Sequence, residues 1–345
     1  MKKVLIVGNQ GYIGPVLQKH LSSKYELFGY DIGFFANNIS MSKNISVDSN
    51  LVCQYYGDVR NLDYKIFNGI DSVVYLCAIS NDPMGNKFRK PTLDINKISA
   101  IKCAKLAKEN GVNSFVFASS CSVYGTGGSN IKNENSDLDP LTTYAVSKIE
   151  TENELSKIAD KDFNITCLRF ATACGFSSRL RLDLVLNDFV ASAITNKKIQ
   201  ILSDGTPWRP LINVKDMSRA IEWAIQSYDK KRNTFMIVNA GSNRWNYSIL
   251  ELAQSVSEIV GGVKIEVNKN ASPDKRSYKV DFSLFDEIAN DYTPIETLES
   301  TINDLFNGIS KMNLGANFRS SEFIRLIHLN NLISQKIIDN NLKLI

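Results

Sequence analysis

A glycine-rich loop directly after the first apolar run constrains the fold of this chain more than any other feature. Residues 3–7 form an apolar, β-branched run that is typical of a buried parallel strand. Gly8, Gly11 and Gly14 follow with the spacing GxxGxxG, and a helical pattern begins after them. Glycines let the backbone turn tightly and approach a pyrophosphate at a helix N-terminus, where unpaired N–H groups favour anions. The sequence therefore predicts the opening strand, loop and helix of a dinucleotide-binding fold.

The second predicted strand, over residues 25–30, ends at an acidic residue, Asp31. An acid at this distance from a glycine loop is typical of the carboxylate that binds the adenosine ribose. No Lys or Arg occurs between Asp31 and Ser42 to bind a 2′-phosphate, which favours NAD over NADP. The alternative interpretation is an ordinary strand, turn and helix with a solvated Asp31.

Strand and helix patterns alternate through the first half of the chain. Strands are predicted over residues 51–56, 72–78, 114–118 and 164–170, and longer helices over residues 91–110 and 141–158. This alternation predicts an α/β fold, a Rossmann-type doubly wound parallel sheet with helices on both faces. Ligands bind such sheets beyond the C-terminal strand ends, where Gly8, Asp31, Asp58, Ala78 and Ser120 all fall. These positions therefore predict one shared site.

The pattern becomes less regular after residue 175. Helices are predicted over residues 182–195, 214–227, 248–260 and 298–306, and short strands over residues 200–202 and 236–239. We expect residues 1–175 to form the core of the NAD-binding Rossmann domain and residues 176–345 to form mainly a smaller C-terminal substrate-binding lobe, with elements that return to the sheet. An apolar stripe in residues 318–345 indicates docking on the core, with an interface or a membrane surface as the alternative.

Composition and charge argue against several classes of protein. The 345 residues carry 40 Lys and Arg against 36 Asp and Glu, and a net charge of +4 gives no reason to expect nucleic acid or an anionic membrane surface. Six cysteines without CxxC spacing predict reduced core thiols, and only two histidines argue against a histidine-rich metal site or a Ser-His-Asp triad. No apolar run is long enough to span a bilayer. We expect a cytoplasmic protein that binds no metal, nucleic acid or membrane.

A serine-rich turn and a tyrosine–lysine pair indicate the chemistry. The turn, SSCSVYG at residues 119–125, follows a predicted strand, and Tyr144 and Lys148 lie four residues apart on one face of a predicted helix. A phenol is a poor base at neutral pH, but a nearby ammonium favours the phenolate and a serine hydroxyl can share the moving proton. Such a set can remove a proton from an alcohol while hydride leaves the same carbon. The alternative is an ordinary turn with an amphipathic Tyr144 and a solvated Lys148.

The segments GNQGYIG, SSCSVYG and YAVSK together resemble extended short-chain dehydrogenase/reductases of the NAD-dependent epimerase/dehydratase family, over residues 3–300. The resemblance implies a Rossmann domain with a C-terminal lobe that grips a nucleotide-diphosphate sugar, and chemistry at a sugar hydroxyl, commonly at C4. It implies proton sharing by Ser120, acid–base work by Tyr144, and ribose binding with tyrosine activation by Lys148. The implied cofactor contacts are Gly8, Gly11, Tyr12, Ile13, Gly14, Asp31, Ile32, Asp58, Val59, Leu76, Cys77, Ala78, Asn96, Tyr144, Lys148 and Phe170.

Arginines in the second half resemble the phosphate-binding residues of the family. Arg209 stands in the segment DGTPWRP, whose Arg touches the nucleotide diphosphate in relatives, and Arg276 stands in PDKRSY, which resembles a second phosphate-binding element. The alternative is two surface arginines in loops. Arg181 lies in a segment similar to a subgroup that acts at C4 of modified sugar nucleotides, and it either contacts ligand or pairs with an acid. The implied substrate contacts are Ser80, Ser122, Thr172, Arg181, Arg209 and Arg276.

Two departures from the family pattern are informative. The 4,6-dehydratases place an acidic pair just after the catalytic serine or threonine, whereas this chain has Cys121 and Ser122 there, which disfavours dehydration. Thr172 stands where the epimerases often have an asparagine.

The sequence therefore predicts an NAD-dependent enzyme that works by hydride transfer at C4 of a nucleotide-diphosphate sugar, either an epimerase or a 4-oxidoreductase. The alternatives are a 4,6-dehydratase, which is disfavoured, and a non-catalytic NAD-binding sensor or scaffold. The predicted helices over residues 91–110 and 141–158 match those that form a four-helix dimer interface in relatives, so we expect a homodimer.

Overall fold

A seven-stranded parallel sheet is the centre of the fold. The computed structural model describes residues 1–40, 50–126, 130–226, 234–268, 271 and 276–345, and within these ranges the strand order is β10-β6-β5-β4-β1-β2-β3. The strands are β1 Lys2–Val7, β2 Tyr25–Asp31, β3 Cys53–Tyr56, β4 Ser72–Tyr75, β5 Ser114–Ser120, β6 Asn164–Phe170 and β10 Phe235–Ala240. The predicted Rossmann-type sheet is thus confirmed, and the second half of the chain contributes one of its two edge strands, β10.

The register of the sheet aligns the strand ends that carry the predicted site. Val7 pairs with both Tyr30 and Tyr75, and Tyr75 in turn pairs with Phe117. The residues that follow these four therefore emerge at one edge of the sheet. The predicted strand over residues 72–78 ends early, at Tyr75, so that its last three residues extend past the sheet toward this edge.

Helices cover both faces of the sheet, as its apolar central strands require. On one face α1 Gly14–Leu21 packs beside α7 Val214–Gln226. On the other face lie α2 Asp82–Lys87, α3 Arg89–Leu93, α4 Ala100–Glu109 and α5 Thr143–Leu155. Each face encloses its own buried apolar cluster.

The helix predicted over residues 91–110 is longer and less regular than its pattern indicates. It begins at Arg89, and a π-helical turn, Asp94–Ser99, separates α3 from α4. The Ser99 hydroxyl donates a 2.7 Å hydrogen bond to the carbonyl of Asp94, five residues earlier, which fits the wider turn. Apolar periodicity does not detect a single widened turn.

The C-terminal lobe is a small α/β layer beside the sheet. Its strands are β7 Thr172–Cys174, β9 Trp208–Asn213 and β11 Asn246–Ser248 in one sheet, and β8 Lys198–Ile201 with β12 Lys264–Val267 in another. Its main helices are α6 Val185–Asn196, α8 Ile249–Ile259 and α10 Leu298–Ile309, which share a third apolar cluster, while α9 Ser283–Ala289 packs near β10. No strand was predicted in the segment DGTPWRP, but it passes into β9, because Trp208 and Arg209 pair with β11.

Residues 318–345 dock on the Rossmann domain. Their helix, α11 Arg325–Ser334, buries Leu329 completely against the apolar cluster on the α5 face, and Leu326 and Leu332 pack beside it. This agrees with the predicted docking of the apolar stripe. No helix in the described ranges is long and apolar enough to cross a membrane.

Candidate active site

A cavity of about 850 Å³ lies beyond the C-terminal ends of the central strands and is bounded on its far side by the lobe. The residues that line it come from positions as distant in sequence as Gly8 and Arg325. Of the predicted site residues it is lined by Gly8, Gly11, Tyr12, Ile13, Asp31, Ile32, Asp58, Val59, Leu76, Cys77, Ala78, Ser80, Ser120, Ser122, Tyr144, Lys148, Phe170, Thr172, Arg181, Arg209 and Arg276. Gly14 and Asn96 lie behind the wall.

The glycine loop is shaped for close approach of a ligand. Gly8 has φ +89°, and a Cβ atom there would lie 2.5 Å from the backbone nitrogen of Cys77. A Cβ at Gly14 would overlap the carbonyl of Asn9. Helix α1 starts after the loop without a side-chain cap, so its first N–H groups depend on other acceptors. This is the geometry that accommodates a diphosphate.

Two carboxylates mark the adjoining part of the cavity. Asp31 accepts hydrogen bonds from the backbone N–H of Gln10, at 3.0 Å, and of Gly33, at 2.8 Å, so the glycine loop and the end of β2 position it together. Asp58 caps the short 3₁₀ helix Val59–Asn61 and forms a 2.6 Å ion pair with Arg60. A carboxylate at Asp31 suits the hydroxyls of an adenosine ribose and repels a 2′-phosphate.

Ser120, Tyr144 and Lys148 meet at the other end of the cavity. Helix α5 starts just before Tyr144 because Thr142 accepts a 3.2 Å hydrogen bond from the N–H of Ala145. Lys148 follows one turn later with its Nζ 5.5 Å from the centre of the Tyr144 ring, and the Ser120 hydroxyl is near enough to the tyrosine hydroxyl to lower its pKa. The structure thus brings the three predicted catalytic residues together.

The electrostatics of this end are set by burial. Burial raises the pKa of Tyr144 to about 12, although the nearby Ser120 hydroxyl and the Arg181 guanidinium act against that rise. Burial also lowers the pKa of Lys148, whose residue is only 2% exposed, to about 8. A protonated Lys148 beside the phenol stabilises the phenolate, so the two groups work as a pair when Lys148 holds its proton.

A buried ion pair beneath the site was missed in the sequence. Arg169 on β6 and Glu152 on α5 form a 2.7 Å ion pair, and Glu152 also accepts a 2.5 Å hydrogen bond from Ser119. Arg169 further donates to the hydroxyl of Tyr124, which donates to Asn239 on β10. The network joins α5 to three neighbouring strands. No local sequence signal pairs these residues, because they come from five separate segments of the chain.

The predicted substrate residues come from both the central sheet and the lobe, since Ser80 and Ser122 follow β4 and β5. Arg181 forms a 2.9 Å ion pair with Asp183 and also donates to Ser80, so it pairs with an acid and faces the cavity at once. Arg276 forms a 2.7 Å ion pair with Asp82. The Oγ of Ser122 is buried and has no hydrogen-bond partner among the described residues, which is typical of a group that a ligand satisfies.

Asn96 is held away from the cavity. Its side-chain amide exchanges hydrogen bonds with the backbone of Ile79 and also donates to Ser147. In this arrangement it supports the cavity wall at Ile79. Within the described ranges no group of three His, Cys, Asp or Glu side chains is placed to hold a metal ion.

Two further arginines that the sequence analysis did not select, Arg319 and Arg325, reach the cavity from the C-terminal residues. Arg325 stands between Ile324 and Leu326 in the apolar stripe. A charged residue inside an apolar run was a signal that could have indicated a buried functional group.

Residues 4–241 match the family model described as the NAD dependent epimerase/dehydratase family. The chain belongs to this family. This confirms the family that the sequence resembles and the predicted cofactor, NAD. The glycine loop, the uncapped start of α1 and the placement of Asp31 all fit that cofactor.

Relatives cover most of the chain. It is 28% identical over 229 residues to an uncharacterized UDP-glucose epimerase, YtcB, of Bacillus subtilis (64% of this chain, 71% of the relative). It is 26% identical over 292 residues to a UDP-glucose 4-epimerase of Neisseria meningitidis serogroup C (76% and 83%). The crystal structure of a UDP-glucuronic acid 4-epimerase from Bacillus cereus, in complex with UDP-glucuronic acid and NAD, has the same fold, with a TM-score of 0.76, 23% identity, and coverage of 90% of this chain and 99% of that one.

Proposed function

We propose that this protein is an NAD-dependent epimerase that inverts C4 of a nucleotide-diphosphate sugar. The observation that carries the proposal is the meeting of Ser120, Tyr144 and Lys148 in the same cavity as the glycine loop. The 4-epimerase names of the relatives support the choice of reaction.

The chain's own residues account for the proton transfers. Tyr144, as phenolate, takes the proton of the C4 hydroxyl, Ser120 shares that proton, and Lys148 holds the positive charge that stabilises the phenolate. NAD held at the glycine loop and Asp31 would supply a reversible hydride acceptor for C4, so that a complete turnover would cause no net oxidation. When the 4-keto sugar is reduced on its opposite face, Tyr144 gives its proton back to the C4 oxygen and the epimer is formed.

The lobe is suited to hold the sugar nucleotide. Arg209 and Arg276 line the lobe side of the cavity and supply guanidinium groups for a diphosphate, and Ser122 offers a hydroxyl that lacks a partner among the described residues. Dehydration is not supported, because Cys121 is buried, donates to the carbonyl of Arg169, and has its pKa raised by burial. A buried thiol of this kind is a poor replacement for the acid that elimination of water needs.

A deuterium label at C4 tests the reaction. The protein is incubated with 4-deuterated UDP-, GDP-, CDP- and dTDP-hexoses, and products are analysed by mass spectrometry and proton NMR. An epimer that keeps its deuterium, without net NADH, is the expected result. Deuterium that appears in released NADH, with a 4-keto product three mass units lighter than the deuterated substrate, would instead establish the 4-oxidoreductase. A panel without any turnover by NAD-loaded protein would contradict both and favour the sensor or scaffold.

We also propose a homodimer formed through α4, α5 and the π-helical turn. Ile98 on that turn is 57% exposed, and Lys97 and Glu150 form a 2.9 Å ion pair beside it. An exposed apolar side chain between two helices suits a helical interface. Analytical ultracentrifugation should show a dimer that Ile98→Lys dissociates; a wild-type monomer at assay concentrations would contradict the proposal.

A further inference from the structure

The C-terminal segment, residues 318–345, reaches the end of the cavity that carries Asp31. His328 lies 2.7 Å from the carbonyl oxygen of Phe34, just after β2, and the carbonyl of Glu322 accepts a 2.9 Å hydrogen bond from Asn38. Further along, Arg60, which pairs with Asp58, donates to the carbonyl of Leu342 at 2.6 Å. The segment therefore contacts the surroundings of both carboxylates that mark the adenosine side.

Arg325 is the residue of this segment whose buried guanidinium is incompletely paired. It is only 2% exposed and lines the cavity. Its guanidinium lies 4.2 Å from the centre of the Phe35 ring, and its Nη2 donates a 3.0 Å hydrogen bond to the carbonyl of Arg179. Its Nη1 is buried without a hydrogen-bond partner among the described residues. A buried cation with an unused donor is costly unless an anion completes its surroundings.

The charged side chains near Arg325 do not supply this anion. Arg181 and Arg179 lie within electrostatic range of Arg325, as do the carboxylates of Asp183 and Asp31. Asp183 is already engaged by Arg181, and Asp31 by two backbone N–H groups. Burial, reinforced by Arg181, lowers the pKa of Arg325 to about 9, so an anion placed beside it would be bound more strongly than at an exposed arginine.

The position of Arg325 within the cavity identifies the anion. In a dinucleotide the diphosphate lies between the two ribosides, one of which belongs at Asp31 and the other at Tyr144 and Lys148. Arg325 packs on Phe35, four residues after Asp31, and donates to the carbonyl of Arg179, two residues before Arg181. Arg181 in turn donates to Ser80, which follows β4 at the same edge of the sheet. A ligand group bound beside Arg325 therefore lies between the riboside at Asp31 and the riboside at Tyr144 and Lys148. Arg209 and Arg276, by contrast, are placed toward Trp208 and Asp82.

We propose that Arg325 binds the diphosphate of NAD, so that the C-terminal segment forms part of the cofactor site. This inference rests on NAD as the cofactor and not on the proposed reaction at C4. Because the segment also packs around residues near Asp31, it would hinder release of the cofactor, which suits an enzyme that reuses the same NAD in each turnover.

Binding of nucleotide fragments tests the proposal without any turnover. NAD-free wild type, Arg325→Met and Arg325→Lys are titrated calorimetrically with adenosine, ADP, NADH and UDP. Arg244→Met is the matched control, since Arg244 is exposed on the 3₁₀ helix Asn243–Trp245 and lies outside the cavity. We expect Arg325→Met to weaken ADP and NADH about 10- to 100-fold, with adenosine and UDP unchanged, Arg325→Lys to fall in between, and the control to match wild type.

Other outcomes would overturn the proposal. A loss for UDP with ADP unchanged would assign Arg325 to the substrate diphosphate, and an equal loss for adenosine and ADP would mean that the arginine only shapes the cavity. Should both variants fail to fold, hydrogen exchange of the wild type decides. ADP, but not adenosine, should slow exchange in residues 318–345, and equal protection by the two would refute the role. These results are independent of the epimerase assay.

Discussion

The ammonium of Lys148 lies 2.6 Å from the carbonyl oxygen of Ala118, two residues before Ser120 on the same strand. The strand that presents the serine therefore also positions the lysine of α5. Because Tyr144 stands one turn before Lys148, this hydrogen bond places all three groups of the candidate active site relative to one another. The arrangement holds a cation in a position where it is 2% exposed.

This burial of Lys148 should reduce stability, and Lys148→Met tests that cost. Burial lowers the Lys148 pKa from 10.5 to about 8, and each pKa unit corresponds to about 1.4 kcal/mol. Below pH 8 Lys148 is protonated in both the folded and the unfolded protein, so the folded state bears the full free-energy cost of the buried charge. Between pH 8 and 10.5 only the unfolded protein keeps this proton, so the cost of burial declines as the pH rises. After loss of the Ala118 hydrogen bond, we expect NAD-free Lys148→Met to be about 1–2 kcal/mol more stable than wild type at pH 7, and less so at pH 10.

Urea unfolding at both pH values measures this difference. Lys157→Met, which removes an exposed lysine just after α5, is the control and should show no comparable dependence on pH. A Lys148→Met protein that is less stable than wild type at pH 7 would show that burial of the ammonium carries no net cost.

Tyr144→Phe should remove catalysis and leave the fold intact. The substitution deletes the hydroxyl that exchanges the proton, and general acid–base groups of this kind contribute about 10²- to 10⁴-fold to the rate. NAD should still bind, since the glycine loop and Asp31 are unchanged. Turnover and bound NAD are measured together, with Tyr64→Phe, at a 54% exposed tyrosine, as the control. Retention of near wild-type turnover would exclude Tyr144 as the acid–base residue.

Glu152→Gln should destabilise the protein strongly. It leaves Arg169 buried without its carboxylate, and breaking a buried pair in this way costs about 3–5 kcal/mol. Glu154→Gln on the same helix breaks only the exposed pair with Lys157 and should change the free energy of unfolding by under about 1 kcal/mol. Denaturant unfolding of the two variants gives the comparison, and similar values for both would mean that the buried network contributes little.

Gly8→Ala should disrupt the dinucleotide loop. At φ +89° an alanine is strained, and its Cβ would lie 2.5 Å from the nitrogen of Cys77, so the loop or the segment after β4 must shift. Gly111→Ala is matched in backbone, with φ +77°, but its Cβ meets nothing within 4 Å, so only the strain of about 1–2 kcal/mol applies. We expect both to lose stability and only Gly8→Ala to lose NAD affinity as well, measured by calorimetry. Equal NAD binding by the two variants would show that close approach at Gly8 is unimportant.

Prediction from the sequence succeeded where a pattern is local. The strand predicted over residues 164–170 has those bounds in the structure, because most of its residues are apolar and all of them are buried, and α1 starts where its glycine loop ends. Prediction was weaker where a neighbour decides the conformation. Strand β9 was missed because Trp208 and Arg209 become a strand by pairing with β11, whose residues lie far along the chain.

The sequence alone determined the fold class, the glycine loop with Asp31, and the Ser120, Tyr144 and Lys148 set, since each is encoded by spacing within a short segment. Only the tertiary structure showed that Arg169 and Glu152 support the site from below and that Arg325 enters the cavity, where it donates to a carbonyl 146 residues away in sequence. Such contacts depend on how helices and strands pack across the sheet, and side-chain charge in a sequence does not reveal whether packing will leave it in water or bury it beside a ligand site.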